Sequence, residues 1–128
     1  MFTKYRLFIF TPDPDKLVKF YTDVLDMKIL KKLELPKDYG YSVEVAPSYT
    51  LWIAKHSEVN GNSTEPIRTM LNLYCDEIEK YYQKVKESRV KIIQEPICMG
   101  EFNPGEERFV FTFHDPEGNC LQMMGKLK

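Results

Sequence analysis

Hydrophobic and polar positions alternate in the same order in two stretches of the chain. In the first stretch, residues 6–32, a short β-rich run from Leu7 to Phe10 precedes Asp13-Pro14, a pair typical of a helix start. Apolar residues then recur at helical spacing, at Leu17, Phe20, Tyr21, Val24 and Leu25. After Asp26 the spacing becomes that of a strand, through Met27, Ile29 and Leu33. The stretch therefore predicts a strand, a helix and a second strand.

The second stretch, residues 69–95, repeats this order. A strand-like run from Met70 to Tyr74 leads to Asp76, with Glu79 three residues later in a capping-box arrangement. The apolar face of the predicted helix follows, at Ile78, Tyr81, Tyr82 and Val85. A strand is predicted next, from Val90 to Ile93. The aromatic pairs Phe20-Tyr21 and Tyr81-Tyr82 occupy equivalent positions in the two predicted helices. The chain therefore contains an internal repeat.

Each half continues with two further strand patterns. They are Tyr41–Ala46 and Tyr49–Lys55 in the first half, and Arg108–His114 and Asn119–Met124 in the second. Each half is thus predicted as a β-α-β-β-β module within one domain: module one at about residues 1–55, a polar linker at 56–66 and module two at about 67–128. The segment Cys98–Glu107 is predicted as a longer loop of the kind that often covers a ligand.

Composition narrows the function classes. The 128 residues are 43% hydrophobic and 29% charged, as in globular proteins, and the net charge of −1 provides no overall attraction for nucleic acid or anionic membranes. The longest apolar run near the N-terminus, Leu7 to Phe10, is too short for a signal sequence or a membrane span. Three cysteines without metal-type spacing indicate reduced thiols, so a cytoplasmic location is expected.

Two stretches, PDPDKLVKFYTDVLDMKIL in the first half and FTFHDPEGNCLQMMG in the second, resemble the vicinal-oxygen-chelate superfamily of glyoxalases, bleomycin-resistance proteins and extradiol dioxygenases. The resemblance covers essentially the whole chain. It implies an α+β fold in which paired β-α-β-β-β modules form a cup-shaped, curled mixed sheet with the helices outside. It also implies a ligand or metal inside the cup and a homodimer.

The resemblance places the metal ligands of family enzymes at four positions, which in this chain are Arg6, Met70, Gln122 and either Trp52 or Ile53. Arginine offers only hydrogen-bond donors, and a methionine thioether suits soft metals rather than the usual divalent cations. Neither Trp52 nor Ile53 can coordinate a cation, so Gln122 alone has a suitable oxygen. We therefore expect no metal and no cofactor.

Other residues that could coordinate a metal are His56, His114, Glu44 and Glu107, and no pair of them has the spacing of a known ligand motif. Cys120 is read as a buried thiol rather than a nucleophile, because no acid or base partner can be assigned to it.

Strand alternation suggests what the cup binds instead. Phe8 and Phe10 share the face of Arg6, whose guanidinium is expected either to bind an acceptor group of a ligand or to pair with Glu44 or solvent. The predicted ligand-binding residues are Arg6, Phe8, Phe10, Trp52, Met70, Asn72, Tyr74, Gln122 and Met124. The pattern does not decide which face of Arg108–His114 lines the cup.

These observations favour a metal-free protein that binds a small organic molecule and is not an enzyme. The expected ligand is an aromatic or apolar compound with an acceptor or negative group. One alternative is a metal-dependent lyase or dioxygenase of the same superfamily with atypical ligands. Another is a dimeric interaction module without a ligand.

Overall fold

The structure, a computed structural model, describes residues 1–127 and divides the chain into two compact units. The first unit is Met1–Gly61, and the second begins at Asn62, within the segment whose polar composition predicted a linker. None of the helices in the described range is long and apolar enough to cross a membrane.

The first unit contains one helical segment and a four-stranded mixed sheet. Its elements are β1 (Leu7–Thr11), α1 (Pro14–Lys19) continued by a π-helical turn (Phe20–Val24), β2 (Lys28–Leu35), β3 (Asp38–Ala46) and β4 (Tyr49–Lys55). The strand order in the sheet is β1-β4-β3-β2. Strand β1 runs parallel to β4, and the other neighbours are antiparallel.

The second unit repeats this topology. Its elements are a 3-10 turn (Pro66–Arg68), β5 (Met70–Cys75), α2 (Ile78–Glu87), β6 (Ile92–Cys98), a second 3-10 turn (Met99–Glu101), β7 (Phe109–His114) and β8 (Cys120–Gly125). The sheet order is β5-β8-β7-β6, with β5 parallel to β8. The predicted α+β fold with paired β-α-β-β-β modules is confirmed.

Helix α1 begins as its sequence predicted. The Asp13 carboxylate accepts a hydrogen bond from the Lys16 N–H at 3.2 Å, and Pro14 occupies the first helical position. The predicted helix through Leu25 is not α-helical throughout, because the backbone widens into the π-helical turn, where the Leu25 N–H donates to the Phe20 carbonyl. Phe20 and Tyr21, the first two residues of this turn, are buried.

Helix α2 corrects two predictions from the sequence. The predicted capping box at Asp76 is wrong, because the helix begins one residue later and no side chain caps it. Instead the Ile78 and Glu79 N–H groups donate to the carbonyls of Lys126 and Leu127, at 3.0 and 2.7 Å. The strand after this helix was predicted to begin at Val90, but it begins two residues later, at Ile92. It continues to Cys98, the first residue of the predicted loop.

The burial pattern identifies the helix-covered face of each sheet. In the second unit Phe111 and Phe113 are fully buried, and the Phe111 ring makes an edge contact with Tyr82 of α2 at 5.6 Å. In the first unit Leu51 and Ile53 of β4 are buried. The phenylalanine stripe of β7 therefore packs beneath a helix, and Val110, Thr112 and His114 lie on the opposite face.

Candidate functional site

Aromatic rings cover the face of the first sheet that is turned away from α1. Phe8 and Phe10 of β1 stack at 5.6 Å, and Phe8 also stacks on Trp52 of β4 at 6.3 Å. The parallel register sets Phe8 beside Trp52, whereas the neighbouring Ile53 is fully buried on the helix side. The residue of β4 on this surface is therefore Trp52. We call Phe8, Phe10 and Trp52 the aromatic face.

Arg6 lies across the aromatic face. Its guanidinium carbon is 5.5 Å from the centre of the Phe8 ring and 5.3 Å from that of Trp52. Within residues 1–127 no carboxylate forms an ion pair with it, and this includes Glu44, the partner considered from the sequence. The rings hold the guanidinium from one side, so its N–H donors remain available to a ligand oxygen.

The corresponding surface of the second sheet has an amide network at its centre. Asn72 of β5 lies beside Gln122 of β8 and donates to its side-chain oxygen at 3.1 Å, and the Gln122 amide approaches the Thr112 hydroxyl at 3.5 Å. Met70 and Tyr74 of β5 flank this network. We call Asn72, Gln122 and Thr112 the amide face. Both ends of the Gln122 side chain are engaged by protein groups, so it holds neighbouring strands together.

The remaining predicted site residues fall into these same two groups. Arg6 and the aromatic face belong to the first unit. Met70, Asn72, Tyr74, Gln122 and Met124 share one surface of the second sheet, where Met124 lies beside Tyr74 and is buried while Tyr74 is 66% exposed. Their role in binding a ligand stays a prediction.

A second arginine, which sequence reasoning did not select, lies on the surface of the amide face. The Arg108 guanidinium is 5.8 Å from the centre of the Tyr74 ring and forms a salt bridge with Glu106. The salt bridge holds the pKa of the Glu106 carboxyl below its ordinary value. Arg108 alternates with Val110 and Thr112 along the strand, so the sequence could have placed it on their face of the sheet. The salt bridge with Glu106 depends on the folded loop and could not have been predicted in this way.

The turn between β7 and β8 is organised by one buried carboxylate. Asp115 is 2% exposed and accepts hydrogen bonds from the backbone N–H groups of Glu117 and Asn119, at 2.9 and 3.0 Å. Its other oxygen accepts from the Asn119 side chain at 2.8 Å, and Gly118 supplies a φ of +82°. The turn fixes the start of β8 and hence the register of Gln122.

A pocket of about 770 Å³ lies at one end of the first sheet, where β1 and β4 end and the β2–β3 hairpin turns. Its lining includes Pro12, Lys37, Asp38, Tyr39, Lys55 and His56. The His56 ring also makes an edge contact with Phe10, with 5.0 Å between the ring centres. His56 therefore belongs both to the pocket and to the border of the aromatic face.

The cysteines do not have the surroundings of a nucleophile. Burial raises the pKa of the Cys120 thiol, and it also raises the pKa of Cys75, where backbone hydrogen bonding opposes the shift. A raised pKa reduces the fraction of reactive thiolate near neutral pH. The interpretation of Cys120 as a buried thiol agrees with this environment.

The residues at the four positions that the resemblance assigns to metal ligands do not fit a divalent cation. Arg6 is positively charged, Met70 has only a thioether, and Trp52 has no coordinating atom. The side-chain oxygen of Gln122 already accepts a hydrogen bond from Asn72. Elsewhere in residues 1–127, no group of three or more histidine, cysteine, aspartate or glutamate side chains could hold a metal ion.

Residues 5–123 match the sequence profile of the Glyoxalase/Bleomycin resistance protein/Dioxygenase superfamily. The chain belongs to this superfamily. The match includes both modules, and so agrees with the repeated topology of the two sheets. No curated protein matches the chain.

Solved structures of the superfamily share the fold at low sequence identity. A glyoxalase/bleomycin resistance protein/dioxygenase domain from Frankia sp. EAN1pec superposes with a TM-score of 0.77 at 12% identity, covering 100% of this chain and 94% of that one. Glyoxalase I from Leishmania major gives 0.74 at 20% identity, covering 97% and 88%.

A glyoxalase I mutant from Zea mays, V278E, gives a TM-score of 0.72 at 18% identity. This alignment covers 96% of the present chain but only 45% of the maize chain, so the present chain spans less than half the length of that relative. Identities this low establish the fold and leave the reaction and the ligand open.

Proposed function

We propose that this superfamily member binds a small aromatic organic acid on the aromatic face, without a metal ion. The observation that carries the proposal is the position of Arg6, which lies over two rings and has no carboxylate partner among the described residues. An aryl group would stack on the rings while its carboxylate accepts hydrogen bonds from the guanidinium.

Exposure of the rings supports a ligand at this surface. Phe8 is 42% exposed and Phe10 is 39% exposed, although both are large apolar side chains in adjacent positions of one strand face. Contiguous apolar surface of this kind marks a binding site in many proteins, because covering it removes apolar area from water at about 25 cal/mol per Å².

Charge supports an acid rather than a neutral ligand. The guanidinium is always protonated, and a carboxylate can accept two parallel hydrogen bonds from its planar donors. The amide face offers no equivalent group, because Arg108 is already held by Glu106. We therefore assign the anionic end of the ligand to Arg6.

Binding can be followed through Trp52, the single tryptophan of the chain. We expect para-phenylbenzoate to quench Trp52 fluorescence and to bind more tightly than the neutral para-phenylbenzamide. Arg6→Met keeps a long apolar side chain on the rings and removes the charge, so the benzoate affinity should fall about tenfold or more and the preference over the amide should disappear.

The matched control is Arg68→Met, which removes an exposed arginine of the second unit that pairs with Glu65. We expect unchanged binding in this variant. Equal affinities of the wild type and Arg6→Met for para-phenylbenzoate, confirmed by calorimetry, would contradict the assignment of Arg6.

Elemental analysis separates this proposal from the alternative of a metal-dependent lyase or dioxygenase. The protein is purified without chelator and without a metal affinity step, and we expect less than one equivalent of any transition metal. One stoichiometric metal ion would favour the enzyme alternative and overturn the metal-free proposal. Sedimentation at several protein concentrations would test the homodimer that the superfamily resemblance implies.

A further inference from the structure

His56 extends the row of side chains that begins at Arg6. It follows Trp52 and Ala54 at two-residue spacing and packs edge-on against Phe10 at 5.0 Å. Phe10 in turn stacks on Phe8, over which Arg6 lies. The row therefore has a cationic group at one end, aromatic rings in the middle and an imidazole at the other end.

The hydrogen bond of the imidazole determines what it presents to a ligand. The Nδ1 atom of His56 accepts a hydrogen bond from the Glu58 backbone N–H at 3.1 Å. A neutral imidazole with an acceptor at Nδ1 carries its proton on Nε2. His56 therefore offers an N–H donor at the border between the aromatic face and the pocket.

The polar groups of the pocket are mostly donors without a protein partner. Lys37 and Lys55 form no hydrogen bond or ion pair with another side chain in the described part of the chain, and the same holds for Asp38. The Tyr39 hydroxyl, by contrast, donates to Asp15. Asp13 also lines the pocket, but its carboxylate already accepts a hydrogen bond from the Lys16 N–H. Two ammonium groups and an imidazole N–H therefore face one carboxylate without such a partner, that of Asp38, and this favours an acceptor-rich occupant.

We propose that the ligand site continues past His56 into this pocket, and that the ligand is an aryl acid with a hydrogen-bond-accepting tail. The inference rests on the proposed function, because it assumes that the carboxylate binds Arg6. The rings of Phe8 and Phe10 lie side by side with 5.6 Å between their centres, so they offer a stacking surface to a ligand with two linked aromatic rings. The tail accepts hydrogen bonds from His56 and from Lys37 or Lys55.

Three ligands test the tail: para-phenylbenzoate, the same compound with an amide-linked glycine (–CO–NH–CH2–CO2⁻) on the far ring, and the same compound with a hexyl group there. The amide-linked glycine ends in a carboxylate, so we expect this compound to bind about tenfold more tightly than the parent. The hexyl compound has a tail of similar length without acceptors, and it should gain less than threefold.

Variants of the pocket residues show where the tail binds. In each variant we compare the affinity for the tailed ligand with the affinity for para-phenylbenzoate, and the ratio of the two is the measured quantity. His56→Phe keeps a ring against Phe10 and removes the donor, and the double variant Lys37→Gln, Lys55→Gln removes both ammonium groups. In each the tenfold ratio should fall to about threefold or less. The control is the double variant Lys19→Gln, Lys28→Gln, which removes the same charge from exposed positions of the same unit away from the pocket. It should keep the full tenfold ratio.

The possible outcomes separate the two proposals. If para-phenylbenzoate binds through Arg6 but the amide-linked glycine adds no affinity, the tail inference is overturned and the proposed function stands. A gain that survives in both pocket variants also overturns it, because the tail then lies elsewhere. If none of the three ligands binds, the proposed function fails and this inference fails with it. The lysine variants change only exposed side chains, so they remain informative if His56→Phe folds poorly.

Discussion

In the first unit Arg6 lies over two aromatic rings without a carboxylate beside it, whereas in the second unit Arg108 lies over one ring and is held by Glu106. The two units have the same order of strands and the same placement of the helix in the sequence. Their surfaces turned away from the helices nevertheless have different chemistry, one aromatic with a cation and the other built on hydrogen-bonded amides.

The difference shows that a repeated topology does not repeat a site. The β-α-β-β-β order determines which strand positions lie on the surface opposite the helix, and the residues at those positions determine what the surface can bind. A polar group that is already satisfied within the protein gains little from a ligand, because binding only exchanges one hydrogen bond for another. An unpaired donor on an aromatic surface gains more.

The largest expected effect concerns the hairpin turns of the two units. Asp115→Ala removes three hydrogen bonds from a buried position, and should lower the free energy of unfolding by about 3 kcal/mol. The equivalent turn of the first unit has Ser48 at a φ of +68°, a backbone conformation that favours glycine. Ser48→Gly should therefore raise the stability, by about 0.5 kcal/mol.

Urea unfolding measures both effects. Asp76→Ala is the control, because Asp76 is exposed and does not cap α2, and its stability should stay within about 0.5 kcal/mol of the wild type. If Asp76→Ala lowered the free energy of unfolding as much as Asp115→Ala, the stabilisation assigned to the hydrogen bonds of Asp115 would be contradicted.

The second prediction compares the two arginines directly. Arg6→Met should weaken para-phenylbenzoate binding about tenfold or more, whereas Arg108→Met should change it less than about twofold because Glu106 already occupies that guanidinium. Calorimetric titration of both variants gives the comparison. Equal losses at the two positions would contradict the assignment of the ligand carboxylate to Arg6.

The third prediction tests whether the amide face is a structural network. Asn72→Leu and Gln122→Leu should each reduce the stability by about 1 kcal/mol, because each leaves the other amide without its partner. The double variant should cost less than the sum of the two, and the difference is the coupling of the pair. Fully additive losses, measured by urea unfolding, would mean that the two amides do not depend on each other.

The smallest expected effect is a pH dependence in the second unit. Burial, together with the nearby Lys91, lowers the pKa of His114 below its ordinary value of 6.5. As the pH falls below that value the unfolded chain takes up a proton that the folded protein resists, so the free energy of unfolding decreases. Above that value both states are neutral, and His114 contributes nothing to the pH dependence.

His114→Gln should remove this part of the acid destabilisation. The expected difference between the wild type and the variant is below about 1 kcal/mol, since His114 is only partly buried and solvent screens the charge. Thermal unfolding between about pH 7.5 and about pH 5.5 measures it. A steeper acid loss in the variant than in the wild type would reverse the assigned sign.

Much of the fold was accessible from the sequence because its signals are local. The helical spacing of Leu17 to Leu25 and the alternation in β1 and β4 depend only on neighbouring residues. The start of α2 was not accessible, because its first N–H groups bind carbonyls of residues 126 and 127, which come close only in the folded unit. The predicted capping box was locally reasonable, but these backbone acceptors replaced it.

Of the candidate site, the sequence by itself determined which side chains alternate onto one surface, so two-residue spacing was enough to group Arg6 with Phe8 and Phe10. The tertiary structure decided between Trp52 and Ile53 through the register of β1 and β4. It also decided that Arg6 has aromatic neighbours and does not pair with Glu44. Alternation is a property of one strand, whereas register and pairing depend on how distant segments align, and the folded sheet alone specifies that alignment.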